Sequence, residues 1–86
     1  MLDLSDALQD TRSVISELEA AHAYGTRTLR ARIDLVAAAS TALDAGPSAL
    51  GERIALTQLV REIRDEALDL RRRHRVVQRI VLSMMD

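Results

Sequence analysis

Two histidines, a run of arginines and a terminal pair of methionines are the residues of this chain best equipped for chemistry. An imidazole binds metal and titrates near neutral pH, so His22 and His74 are candidates for a metal centre or a pH-sensitive contact. A zinc site takes three or four ligands, and this chain has no cysteine. Carboxylates would have to complete the set, and no cluster of further ligands stands near either histidine in the sequence. The favoured reading is that His22 and His74 form a polar pair in a helical seam, fixing register or bonding to neighbours such as Glu19. No metal ligand and no cofactor-binding residue is assigned.

Arg71, Arg72, Arg73 and Arg75 surround His74 and have the look of a nucleic-acid patch. On a helix they spread around the circumference, and Asp69 lies three and four residues before Arg72 and Arg73, at ion-pairing distance. Glu17 and Glu19 offer further partners. No aromatic run is present to stack bases. A small helical regulator binding nucleic acid through residues 71–75 is therefore an alternative reading, not the leading one. Met84 and Met85 suit an adaptable protein contact, although Met84 would equally close a core opposite Leu8. No Ser/His/Asp grouping, phosphate-binding glycine loop or carboxylate dyad is visible, so no catalytic residue is assigned and the chain is not read as an enzyme.

These residues need a scaffold, and composition limits what it is. Eighty-six residues make one small domain. Chains of this size commonly draw stability from disulfides, metal or assembly. Without cysteine, assembly or a partner protein is what remains. A net charge of −1 gives no global attraction to nucleic acid or anionic lipid. The apolar runs are too short to cross a bilayer, and the N-terminal residues lack a basic leader region, so a cytoplasmic chain with no membrane partner is expected. One tyrosine is the whole aromatic content. A globular core normally uses several large rings, whereas a seam between helices is filled by Leu, Ile, Val and Ala.

The breakers Gly46 and Pro47, followed by the capping residue Ser48, are the strongest punctuation in the sequence. They predict helix 1 over about 4–44, a turn at 45–48 and helix 2 over about 48–85, with Asp3 or Ser5 capping helix 1. Leu8, Ile15, His22, Leu29, Val36 and Leu43 recur every seven residues, with Leu4, Thr11, Leu18 and Gly25 as companions. In helix 2 the same interval joins Leu56, Ile63, Leu70, Val77 and Met84, flanked by Val60, Ala67, His74 and Val81. This is the pattern of a coiled-coil seam. Leu8, Ile15, Leu29, Val36, Leu56, Ile63, Leu70, Val77 and Met84 are the expected partner-binding seam. Gly25 costs roughly 1 kcal/mol against Ala inside a helix. A break there would turn two helices into three.

Charge supports a chain folded on itself. Asp3, Asp6, Asp10, Glu17 and Glu19 crowd one end of the sequence, and Arg71, Arg72, Arg73, Arg75 and Arg79 the other. An antiparallel hairpin sets them side by side, with Arg27 and Arg30 near Glu62, Glu66 and Asp69. The fold class expected is all-α: two long antiparallel helices that complete a four-helix bundle by oligomerisation. Leu35, Leu59, Leu68, Val76, Ile80, Leu82 and Met85 lie outside the seam rows and widen the apolar stripe, as helices in bundles do.

Two resemblances bear on function. Residues 28–34, Thr-Leu-Arg-Ala-Arg-Ile-Asp, resemble the opening of small helical chorismate mutases, which implies arginines gathered around a dianionic substrate. This chain lacks the lysine of that set and the match stops after Asp34. The whole outline, a helix, the Gly46-Pro47-Ser48 turn and an amphipathic helix from Leu56 to Met84, resembles the small helical-hairpin proteins of bacterial type III secretion. Needle subunits of that group carry an N-terminal Trp and a second helix rich in Asn, Gln and Lys, which this chain lacks. The resemblance therefore implies the chaperone or co-chaperone role, a cytoplasmic helper packing beside a helical partner. The function expected is a protein–protein interaction module that joins its seam to a second copy or to another helical protein.

Overall fold

A computed structural model describes residues 4–44 and 50–85. They form three helices: α1 over Leu4–Ala20, α2 over Thr26–Asp44 and α3 over Leu50–Met85, with no strand among the described residues. Fold class is all-α as expected, but the first long helix is two helices. The cause lies at residues 21–25. Ala23 N–H donates to Leu18 O at 3.0 Å and His22 N–H to Glu19 O at 3.0 Å. This is the Schellman pair of bonds, and it requires a left-handed residue between the two donors' shared turn and the exit. His22 fills that position with φ of 57°. Gly25 adds a second positive φ, 88°, just before α2 begins.

Ala23 and Leu18, the two residues that this motif brings together, are both buried. The chain thus gains an apolar closure for ending α1 at Ala20, although the seven-residue repeat continues to Leu43. Ser5, a proposed cap, lies inside α1 instead, while Asp3, Gly46, Pro47 and Ser48 fall outside the described residues.

Ion pairs give the direction of each helix. Arg12 pairs with Asp34 at 3.2 Å and Arg30 with Glu19 at 2.5 Å, so α1 and α2 are antiparallel. Arg53 pairs with Asp44 at 2.6 Å and Arg32 with Glu66, so α2 and α3 are antiparallel too. Arg64 lies 2.9 Å from Asp10 and Arg71 lies 3.2 Å from Glu17, which makes α1 and α3 parallel. The result is an up-down-up bundle. The acidic start and basic end of the sequence do meet, but side by side in parallel helices, because the turn at 21–25 reverses the chain once more.

α1 contributes Leu4, Ala7, Leu8, Thr11, Val14, Ile15 and Leu18 to the core, at spacings of three and four. Facing two helices at once, it buries Ala7 and Val14 beside the seam rows. α2 adds Leu29, Ile33 and Val36, and α3 adds Val60, Ile63 and Ala67. Thr11 is fully buried, and its hydroxyl donates to Ala7 O at 2.8 Å, which satisfies the one buried polar side chain among the described residues.

Candidate interaction surface

α1 and α2 have 17 and 19 residues and α3 has 36. At about 1.5 Å per residue, α3 is some 25 Å longer than either partner. The ion pairs show where the excess lies. Glu17 is level with Arg71, so the end of α1 at Ala20 is level with about residue 74 of α3. The pairing of Arg32 with Glu66 puts the start of α2 near the same height. Residues 76–85 therefore project past the α1–α2 turn, in a molecule 59 Å long and 22 Å wide.

This projection is apolar. Val76, Val77, Ile80, Val81, Leu82, Met84 and Met85 are all exposed, from 49% at Val81 to 82% at Met84. Val77, Val81 and Met84 stand on the row that continues Leu56, Val60, Ile63, Ala67, Leu70 and His74. Below residue 74 that row is covered by α1 and α2, and above it none of the described residues covers it. A shallow groove of about 470 Å³ runs along the uncovered part between His74, Val77, Gln78, Val81 and Leu82.

The expected seam is thus divided by the structure. Leu8, Ile15, Leu29, Val36 and Ile63 are buried between this chain's own helices. Leu56 and Leu70 are half-buried against them, and Val77 and Met84 are exposed. His22 and His74 separate as well. His22 is an exposed turn residue. His74 is half-buried at the foot of the projection, and its Nε2 is enclosed without a hydrogen-bond partner among the described residues. Among the described residues no group of three metal-ligating side chains is found.

The arginine run is largely engaged. Arg72 and Arg73 both reach Asp69, at 3.0 and 3.2 Å, while Arg71 and Arg75 reach Glu17 at 3.2 and 3.7 Å. Arg79 has no ion-pair partner among the described residues. Arg30 and Arg32 do not converge on a common ligand. Arg30 donates to Glu19 and Ser16 on α1, and Arg32 to Glu66 on α3. The Arg30 guanidinium hydrogen bond holds the Glu19 carboxyl below its ordinary range, outweighing the opposing effect of desolvation.

A second groove, of about 650 Å³, opens between α1 and α2 and is lined by Ser5, Ser13, Ser16, Ser40 and Thr41 around Arg12. It is open to solvent, and Arg12 is committed to Asp34. No described helix is long and apolar enough to cross a membrane. Comparison with protein-family models, with curated proteins and with solved structures returns no match.

Proposed function

We propose that the chain is a helical interaction module whose working surface is the uncovered end of α3. The observation that carries this reading is the continuity of one apolar row from a covered half to an exposed half. Val60, Ile63 and Ala67 are at most 2% exposed, whereas Val77 and Val81, on the same face, are about half exposed. Apolar side chains gain roughly 25 cal/mol per Å² on leaving water, so a packed helix laid along this row is favoured. Affinity comes from Val77, Ile80, Val81, Met84 and Met85. Arg72, Arg75 and Arg79 lie on the far side of the helix and leave the row itself uncharged.

A small cytoplasmic helper for secretion, as the hairpin resemblance implies, is one biological use of such a surface. The nucleic-acid reading through residues 71–75 gains less support, because four of the arginines are already paired with carboxylates in the chain.

The test is quantitative co-purification and mass measurement of the wild type beside a Val77→Asp/Val81→Asp variant. Both substitutions lie beyond the bundle, so helicity and melting of the bundle should be retained. The wild type is expected to assemble, with itself or with one stoichiometric partner, and the variant to lose that assembly. A wild type that stays a single free chain at every concentration and in co-expression would overturn the proposal.

A further inference from the structure

The geometry points to a second copy of this chain as the occupant of the uncovered row, paired antiparallel, projection against projection. This inference rests on the projection being a binding surface and adds the identity of what binds. Three observations lead to it.

The first is shape. Each molecule ends in a step: a helix of about ten residues, or ~15 Å, rising beside the flat end made by the α1–α2 turn. Two such steps are complementary. When one molecule is turned end over end, its projection fills the space above the other's turn. The tip at Met84 and Met85 then arrives level with the turn at residues 21–25, where Tyr24 is 95% exposed. The overlap length is set by the step itself.

The second is the pattern. An isologous contact needs a surface that matches itself under a two-fold rotation. Val77 and Met84 stand at equal distances from the midpoint between Ile80 and Val81. In the antiparallel pair, Val77 therefore faces Met84 of the second copy, and Val81 and Ile80 meet their counterparts at the axis. Every one of these residues is exposed in the single chain.

The third is charge and area. Arg79 is the only charged residue between 76 and 85. It lies about 200° around the helix from Val81, on the far side, so the pairing buries no charge. The apolar face is small, in the range below about 1,200 Å² that weak, transient complexes bury. The dimer is therefore expected to be concentration-dependent.

The chain has no cysteine, so single introduced thiols report the pairing directly. Under mild oxidation of the full chain, Val81→Cys should form a disulfide-linked dimer at least about tenfold faster than Arg79→Cys, because a disulfide needs Cα atoms within about 7 Å. Val77→Cys mixed with Met84→Cys should cross-link more than either alone, which fixes the register. Sedimentation of the wild type should show mass rising from one chain toward two, and Val81→Asp should weaken dimerisation at least about tenfold with an unchanged bundle melt.

Equal rates for Val81→Cys and Arg79→Cys, or a wild type that stays a single chain to millimolar concentration, would overturn the inference. If that single chain still takes up a different protein through residues 77–85, the second copy is excluded while the interaction surface stands. If it takes up nothing, both fall.

Discussion

The two halves of α3 share one seven-residue repeat and differ in cover. In the lower half Val60, Ile63 and Ala67 are enclosed by α1 and α2; in the upper half Val77, Val81 and Met84 meet solvent. The repeat itself does not distinguish them, although Arg79 is the only charge between residues 76 and 85. The apolar period of a helix states which face is buried, and leaves open whether the same chain buries it. Here the lower half folds the molecule and the upper half remains available.

The largest consequence of that difference is in the effect of truncation. Ile33→Ala, at a fully buried site, should cost about 3 kcal/mol in chemical unfolding, in the range for large-to-small core changes. Val81→Ala should cost under about 0.5 kcal/mol at concentrations where the chain is a monomer, as an exposed substitution does. Equal costs would show that the projection is part of the folding core. Ala67→Leu probes cover from the other direction. Ala67 has no exposed surface, so extra methylenes there should cost about 2 kcal/mol by overpacking.

The turn that ends the cover should respond next. His22 holds a left-handed conformation that glycine adopts freely, so His22→Gly is expected to raise stability by about 0.5 kcal/mol, seen as a melting shift of a few degrees. Gly25→Ala, also at positive φ and with open space around its Cβ position, should lower it by about 1 kcal/mol through backbone strain alone. In a continuous first helix the signs would reverse, because glycine is then the poorer residue and alanine the better.

The smallest effect belongs to the ion pair between α1 and α2. The Glu19 carboxyl is held below its ordinary value of 4.5, mainly by the hydrogen bond from Arg30. A depressed carboxyl contributes stability that is present above its unfolded value and is lost as pH falls through the folded one. Acid titration of the melting temperature should therefore be slightly shallower below about pH 4.5 in Glu19→Gln than in the wild type, a difference limited by the exposure of the pair. A steeper acid limb in the variant would contradict the assigned direction.

Much of the fold was legible beforehand because its determinants are local. Leu4, Leu8, Thr11, Ile15 and Leu18 announce α1 by spacing, and Val60, Ile63 and Ala67 announce the covered face of α3. Cysteine, aromatic and charge content excluded disulfides and pointed toward helices. The opposed charges of the two sequence ends implied contact between them, and Glu17 does meet Arg71 and Arg75. The projection was legible only in part: Val76, Ile80, Leu82 and Met85 stood outside the seam, but the seam itself was read as uniform from Leu8 to Met84.

The helical class, the apolar faces and the surplus of apolar residues were therefore readable beforehand, since each follows from the period of a helix and the chemistry of its side chains. The sequence offered Gly25 as a place where the first helix breaks, and packing decided that it ends there. The repeat runs through His22 without interruption, yet His22 is left-handed, and Ala23 and Leu18 are buried where α1 ends. That one reversal makes α1 parallel to α3 instead of antiparallel and halves the length of the cover. It thereby converts the last third of α3 from core into an exposed apolar surface, a consequence of three-dimensional packing that no local spacing records.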